Sequence, residues 1–444
     1  SHNSLLRETV YNQGHAFTRY LAATYGEDVL RRISEALGEW RNWNVDRAIE
    51  EVVGEPAADV YDAWISSLQT SYERETAGIT ANPVEGRIIE PEGFSNAYPR
   101  FSPDGRRLAY TSNRGEDFSA TSLYFRDLES GELVQVDLDG WGDAPESVHT
   151  CAFGHKLVRA VDRSFGWRPD GKAIVYARRR DSPEGHLIAD LYEIDLDTKK
   201  KNRLTEGQRA TGPAYAPDGQ RIVFVRQNDG STNLHLFDVT TRTVQPVTHF
   251  NDGTQVGDAA WSPDGSWIYY ARQLGRGRDL YRIRPDGTGD AAVLATPADE
   301  RSPAFDEAGR LLFASDETGI FNIYRMADGA APEAITNVVG GAFQPAAHAG
   351  KLAYAHYAYD GFKIALMDAV ASATAVSAYT SPAVLDKPPL ADAPADAPVA
   401  LNTFDDTDLA PLAPGENPEG LTAKPYRNLF TSFSLFPVVR LDQY

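Results

Sequence analysis

One short string recurs six times along this chain of 444 residues, and its spacing restricts the fold more than any other feature. It reads as an apolar and aromatic lead, a Pro-Asp-Gly turn and an alternating apolar run, as in "AAWSPDGSWIYYARQ" from Ala259. Three further clear copies are "YPRFSPDGRRLAYTS" from Tyr98, "FGWRPDGKAIVYARR" from Phe165 and "PAYAPDGQRIVFVRQ" from Pro213. Two degenerate copies follow, "PAFDEAGRLLFASDE" from Pro303 and "QPAAHAGKLAYAHYA" from Gln344. The turn glycines are Gly105, Gly171, Gly219, Gly265, Gly309 and Gly350, separated by 66, 48, 46, 44 and 41 residues. A period in the forties with strand–turn–strand content signals a β-propeller.

Each repeat parses into four strands. A short first strand ends at the turn, and a second follows with strict alternation, as in Ile222 and Phe224 or Ile268 and Tyr270. A third carries segments such as "SLYFRDL" and "DLYRIRP", and the fourth those such as "LVQV" and "QPVT". The stretches between third and fourth strands read as hairpin turns. The sixth repeat lacks a convincing fourth strand, whereas a surplus one, "GRIIEP", precedes the first repeat. Residues 86–90 are therefore expected to complete the last blade, which leaves no open edge where the ring closes. The expected fold is an all-β, six-bladed propeller of four-stranded blades, closed by an N-terminal strand.

Three regions follow. Residues 1–80 read as a helical appendage, 81–370 as the propeller, and 371–444 as a Pro/Ala/Asp-rich linker and extended tail. In the first, "GEDVLRRISEALG" places Val29, Leu30, Ile33 and Leu37 on one face. Asn44 reads as an N-cap, Gly54 as a stop and Pro56 as a helix start, with Val60, Tyr61, Trp64, Ile65 and Leu68 turned inward. The 66-residue spacing marks an insertion of about 20 residues beginning "DGWGDAPESVHTC", placed between the first two blades so as to cap one rim. Residues 371–420 hold eight prolines and no sustained periodicity, the mark of an extended linker.

Charge and composition exclude several classes. The net charge is −20, and no Lys/Arg run exceeds three, so a nucleic-acid partner is not expected. A single cysteine, Cys151, excludes an intrachain disulfide framework. No stretch approaches 18 apolar residues, so no transmembrane helix is expected. The opening "SHNS" lacks the pattern of a secretory leader and reads as a vector remnant or an internal start, so a piece of a longer protein is expected.

The six units resemble the TolB-type β-propeller repeats (PD40-like) of bacterial envelope proteins, over about 285 residues. That resemblance implies a periplasmic or outer-membrane-associated location. The helical start "YNQGHAFTRYLAATYGEDVLRRI" resembles the tail of thermolysin-like zinc peptidase domains, but none of the nine His sits in the HExxH that such enzymes need. The closing "YRNLFTSFSLFPVVRLDQY" resembles the entry into an outer-membrane barrel.

Candidate chemistry is sparse. Asp104, Asp170, Asp218 and Asp264 could form a metal ring, but Asp before Gly in a tight turn ordinarily caps its own backbone. His149, Cys151 and His155 have a spacing that permits a metal site, yet no fourth ligand is evident, and a lone Cys is usually a buried, inert one. No cofactor is expected. There is no G-x-S-x-G elbow and no P-loop, so no catalytic residue is named. Two residues after each second-strand aromatic stand Ser112, Arg178, Arg226, Arg272, Ser315 and His356. Their shared register predicts a polar ring near the channel mouth, suited to a carboxylate or acidic peptide end. Asp190 and Asp279 are the alternative partners for Arg178 and Arg272 across their hairpins. Asp299, Glu300 and Arg301 sit on a blade-to-blade loop of the same rim and join the candidate set.

The reading that results is a non-catalytic, protein- or peptide-binding propeller of the bacterial envelope. The alternatives are the non-catalytic part of a larger envelope zinc metallopeptidase whose HExxH helix lies upstream, and a prolyl-oligopeptidase-like gating propeller.

Overall fold

A computed structural model describes residues 4–39, 44–114, 121–136, 149–150, 156–157, 164–181, 187–228, 230–273, 275 and 277–368. The expected linker and tail lie outside the described residues, as do Cys151, His155 and most of the insertion. Of the insertion, His149–Thr150 pairs antiparallel with Lys156–Leu157.

Six antiparallel sheets of four strands follow one another along the chain. Blade 1 comprises Asn96–Phe101, Arg107–Ser112, Ser122–Asp127 and Leu133–Val136. Blade 2 comprises Phe165–Trp167, Ala173–Asp181, Leu187–Asp195 and Lys201–Arg203. Blade 3 is Ala210–Tyr215, Arg221–Asn228, Ser231–Asp238 and Val244–Pro246. Blade 4 is Gln255–Trp261, Ile268–Gln273, Asp279–Ile283 and Ala291–Leu294. Blade 5 is Glu300–Phe305, Leu311–Ser315, Asn322–Met326 and Glu333–Ala334. Blade 6 takes Ala342–His348, Lys351–Ala358 and Gly361–Asp368, and its fourth strand is the N-terminal Arg87–Glu90. Arg87 pairs with Leu366 and Ile88 with Ala365, so the closing strand lies where the surplus-strand count put it.

The core is divided among the blade interfaces. Period-two alternation gives each second strand two apolar faces, and each face packs on a different neighbour. In blade 2, Ile174 and Tyr176 join a cluster with Leu123 and Phe125 of blade 1. Val175 and Ala177 join one with Ile222 and Phe224 of blade 3. The aromatics Tyr110, Tyr176, Phe224, Tyr270, Phe313 and Tyr354 are all fully buried, one per blade, each on the face toward the preceding blade. Burial of each such ring contributes about 1.5–3 kcal/mol.

Four helices precede the ring: α1 (Ser4–Tyr25), α2 (Val29–Leu37), α3 (Val45–Val53) and α4 (Ala57–Ala81). Asn44 caps α3 by accepting from Arg47 N at 2.9 Å, and Gly54 ends it at φ 87°. Their own core holds Leu21, Val29, Ile33, Ala36, Ala48, Ile49, Ala57 and Val60. Three residues expected inward are not. Leu30 and Leu37 lie one step off the Val29–Ile33–Ala36 stripe and are exposed, as is Tyr61. Helix α4 runs into the propeller through Asn82, whose carbonyl accepts from Asn337 Nδ2 at 2.7 Å, and through Val84, which bridges to Asn337.

Candidate functional site: rim and central channel

The Pro-Asp-Gly turns are structural. Asp104, Asp170, Asp218 and Asp264 each accept from the backbone N–H two residues on, at 3.1, 2.9, 2.8 and 3.1 Å. Hydrogen bonds from the Ser262 and Ser266 hydroxyls pull Asp264 down to about 2. The glycine that follows adopts φ 69–72° in the four full copies, a region open to Gly without strain. These turns also stack between blades. A side chain on Gly171, Gly219 or Gly265 would touch the turn proline of the preceding blade at 3.6–3.7 Å. At the first blade, His348 of blade 6 fills that place against Gly105.

The six register-equivalent positions do occupy equivalent places, at the far end of each second strand. Ser112 pairs with Asn96, Arg178 with Asp190, Arg226 with Ala210, Arg272 with Val256, Ser315 with Glu300 and His356 with Ala342. Sharing a face with the buried aromatics, they look toward the preceding blade. None of them lines the central cavity, whose wall is built mainly by the first strands and the turns that follow them, with Arg179 and Val225 from second strands. Ser112 and Ser315 are buried, and the three Arg and His356 are half-buried. Burial pulls the His356 imidazole below its ordinary value.

The ion pairs differ from those expected. Arg272 bonds Asp290 at 3.0 Å, not Asp279, and its guanidinium lies 3.4 Å over the Tyr281 ring. Asp190 is held by Arg203 at 2.8 Å and by Thr205 Oγ1, Gly207 N and Gln208 N at 2.9–3.0 Å. The Arg178 guanidinium lies over the Tyr192 ring, 5.8 Å from its centroid. A long side chain reaches past its cross-strand neighbour to loop residues, so Cα register alone does not fix its partner. Arg226 has no hydrogen-bond or ion-pair partner among the described residues.

Of the three residues expected on a blade-to-blade loop, only Asp299 precedes a strand; Glu300 and Arg301 open the first strand of blade 5, and the segment is ordered by its own charges. Asp299 pairs with Arg301 and with Arg278 at 3.2 Å, and its N–H donates to Asp316 Oδ1 at 2.8 Å. The Arg301 guanidinium covers Phe321 at 4.4 Å. Glu300 is 1% exposed. Its Oε1 accepts from Thr296 Oγ1 at 2.5 Å, while Oε2 is buried without a partner. Burial, then the neighbouring carboxylates of Asp279, Asp316 and Asp299, push it up to about 7. His149 lies in the short hairpin of the insertion, and its two companion metal candidates lie outside the described residues. Among the described residues, no three His, Cys, Asp or Glu are grouped to hold a metal ion, and no helix is long and apolar enough to cross a membrane.

The central channel encloses about 850 Å³. A bulge interrupts the first strand in five blades, between Ala97/Arg100, Thr211/Ala214, Gly257/Ala260, Arg301/Ala304 and Phe343/Ala346. Each bulge holds one residue at positive φ: Tyr98 (55°), Gly212 (61°), Asp258 (52°), Ser302 (57°) and Gln344 (55°). Two links bind this belt around the ring. Asp258 Oδ2 accepts from Ser302 N and Oγ, both at 3.0 Å, and Gln344 Oε1 accepts from Tyr98 N at 2.7 Å. The repeat pattern does not single out these residues, because their types differ from copy to copy.

A closed ring of six four-stranded blades, with its outer seam zipped by an N-terminal strand, defines a β-propeller. Residues 212–397 match the TolB beta propeller domain family. The Tol-Pal system protein TolB of Anaeromyxobacter sp. (strain K) is 30% identical over 261 residues, covering 55% of this chain and 57% of that protein. An uncharacterized protein of Agrobacterium fabrum is 36% identical over 84 residues, 19% of this chain and 27% of that protein. The chain thus spans about half, or less, of the length of these curated relatives. Among solved structures, TolB from Acinetobacter baumannii aligns with a TM-score of 0.38 at 16% identity, covering 72% of each chain. None of these likenesses supports the resemblance of the helical start to a zinc peptidase tail.

Proposed function

We propose that this chain is a non-catalytic protein- or peptide-binding propeller of the bacterial cell envelope, working in the periplasm or at the outer membrane. The observation that carries the reading is the match of residues 212–397 to the TolB beta propeller domain family, joined to 30% identity with a Tol-Pal system protein TolB. The rim that bears the second-strand ends is the working surface. Arg226 is its most available cation, flanked by Arg178 and Arg272 of the neighbouring blades, with His356 and the buried Ser112 and Ser315 at the equivalent places of the other three. The segment Asp299, Glu300 and Arg301, where the first strand of blade 5 begins, extends that rim. On a chain of net charge −20, an uncommitted guanidinium there favours an acidic segment of a partner.

Photo-cross-linking in cells tests this. A cross-linking side chain placed at position 226 is expected to trap one envelope protein, and one at Glu307, beside the opposite set of turns, is not. Arg226→Ala is expected to weaken binding of that purified partner about tenfold, the loss of one charged hydrogen-bonding group. Equal trapping from both positions, or unchanged affinity of Arg226→Ala, overturns the rim assignment.

A further inference from the structure

One layer of the channel breaks the six-fold pattern. Two residues beyond the bulge position, the first strands carry Gly166, Ala214, Ala260, Ala304 and Ala346 in blades 2 to 6. Blade 1 carries Arg100 in the same register, opposite Ala109 of its second strand as Ala214 is opposite Val223 and Ala260 opposite Tyr269. Five small residues leave room at this level, and one guanidinium enters it.

That guanidinium is nearly unused. Its Nη1 donates to the Pro99 carbonyl at 3.0 Å, and no carboxylate of the described residues forms an ion pair with it. Arg carries five N–H donors in a fixed fork that matches a carboxylate. Burial in the channel pulls Arg100 below the ordinary guanidinium value, and Asp258 partly offsets this. Asp258 lies in blade 4, three blades from Arg100 in either direction around the ring, and so on the opposite wall. Its Oδ2 is committed to Ser302, and no hydrogen bond among the described residues uses Oδ1. Both residues line the same 850 Å³ cavity, with Tyr98, Trp167, Trp261 and Phe305 among its walls. That volume is within the usual range for a small-molecule site of about 300–1,000 Å³.

We infer that the channel is a binding site for a small zwitterion, a short peptide or amino acid, with its carboxylate on Arg100 and its ammonium toward Asp258. An anion alone would meet repulsion from Asp258, and a cation alone repulsion from Arg100. A molecule bearing both charges completes the pair that the two walls hold apart, and the aromatic walls receive its apolar part.

Calorimetric titration of the whole chain with glycylglycine tests the site, with acetate and ethylammonium as single-charge controls. Glycylglycine is expected to bind at one site per chain, and each control at least about tenfold more weakly. Arg100→Gln and Asp258→Asn are each expected to lower that affinity about tenfold or more, and Arg226→Ala to leave it unchanged. Asn tolerates the positive φ at 258 and keeps an acceptor for Ser302, so that variant retains the belt. Arg100→Lys, which keeps charge but loses the fork, gives a second variant should Arg100→Gln fold poorly, and it is expected to bind more weakly than the unaltered chain. No saturable binding of glycylglycine, affinity unchanged in both channel variants, or acetate bound as tightly as the dipeptide overturns the inference. Any of these would leave the rim proposal untouched.

Discussion

Tyr110 of blade 1 donates its hydroxyl to Glu90 of the closing strand at 2.6 Å, across the seam where the ring shuts. Glu90 is fully buried, and its Oε2 also lies 3.4 Å from Arg114 and 3.5 Å from Arg126. Its other oxygen accepts from Glu92 N at 3.1 Å. The closing strand is therefore fastened twice, by its ladder into blade 6 and by charge into blade 1. Burial, and then the bond to Glu90, raise the Tyr110 phenol well above its ordinary value. Removing one member of a buried, bonded charge cluster costs about 3–5 kcal/mol. Glu90→Ala is expected to lose stability in that range, read by urea unfolding, and Tyr110→Phe about 1–2 kcal/mol. A Glu90→Ala midpoint equal to that of the unaltered chain would show that the seam is held by the ladder alone.

Asp190 takes four bonds, from Arg203, Thr205, Gly207 and Gln208, and is 2% exposed. It fixes the loop that leads from blade 2 into blade 3. Asp190→Ala strands several buried donors and is expected to cost about 3 kcal/mol or more. Urea unfolding reads that loss, and an Asp190→Ala midpoint equal to that of the unaltered chain is the contrary result.

Glu300 gives a pH dependence with a definite sign. Its folded value, about 7, lies above the unfolded carboxyl value, so the folded state binds a proton that the unfolded state releases. Stability from this group is full in acid and is lost as pH rises from about 4.5 through about 7. Glu300→Gln keeps an acceptor for Thr296 and removes the buried charge. It is expected to unfold about 1–3 kcal/mol later than the unaltered chain at pH 8, with the difference vanishing near pH 4.5. A difference independent of pH across that window is the contrary result.

Arg272 and Arg226 occupy the same register with opposite expectations. Arg272→Ala loses the 3.0 Å pair with Asp290 and the stacking on Tyr281, and is expected to cost about 1–2 kcal/mol. Arg226→Ala is expected to leave thermal unfolding unchanged within about 0.5 kcal/mol. Differential scanning calorimetry separates them, and equal losses would remove the ground for treating Arg226 as the freer group.

The ring itself was legible because its signals are local and repeated. A Pro-Asp-Gly turn fixes a hairpin, alternation fixes its faces, and the surplus strand before Tyr98 has only one vacant edge to fill. The helical caps at Asn44 and Gly54 were legible for the same reason. What escaped was lateral. Alternation puts Arg272 with Tyr270 on one face, but the blades present their faces to each other and mainly the first strands to the channel. Asp290, the partner of Arg272, lies in a loop, and Arg203, the partner of Asp190, ends a fourth strand; no periodicity names either. Arg100 escaped for a different reason. It is visible when the six copies are aligned, as the one large residue in a column of Gly and Ala, but only if the copies are compared for their differences.

The origin of the last blade's outer strand sets a practical boundary for anyone dividing this gene. The first recognisable repeat begins at Tyr98, and a fragment trimmed to it would discard Arg87–Glu90. Such a fragment would expose the whole hydrogen-bonding edge of Gly361–Asp368, a template for joining a second molecule edge to edge. The shortest piece that remains a self-contained body therefore starts upstream of every repeat it contains, at or before the Gly86 N–H that bonds Tyr354.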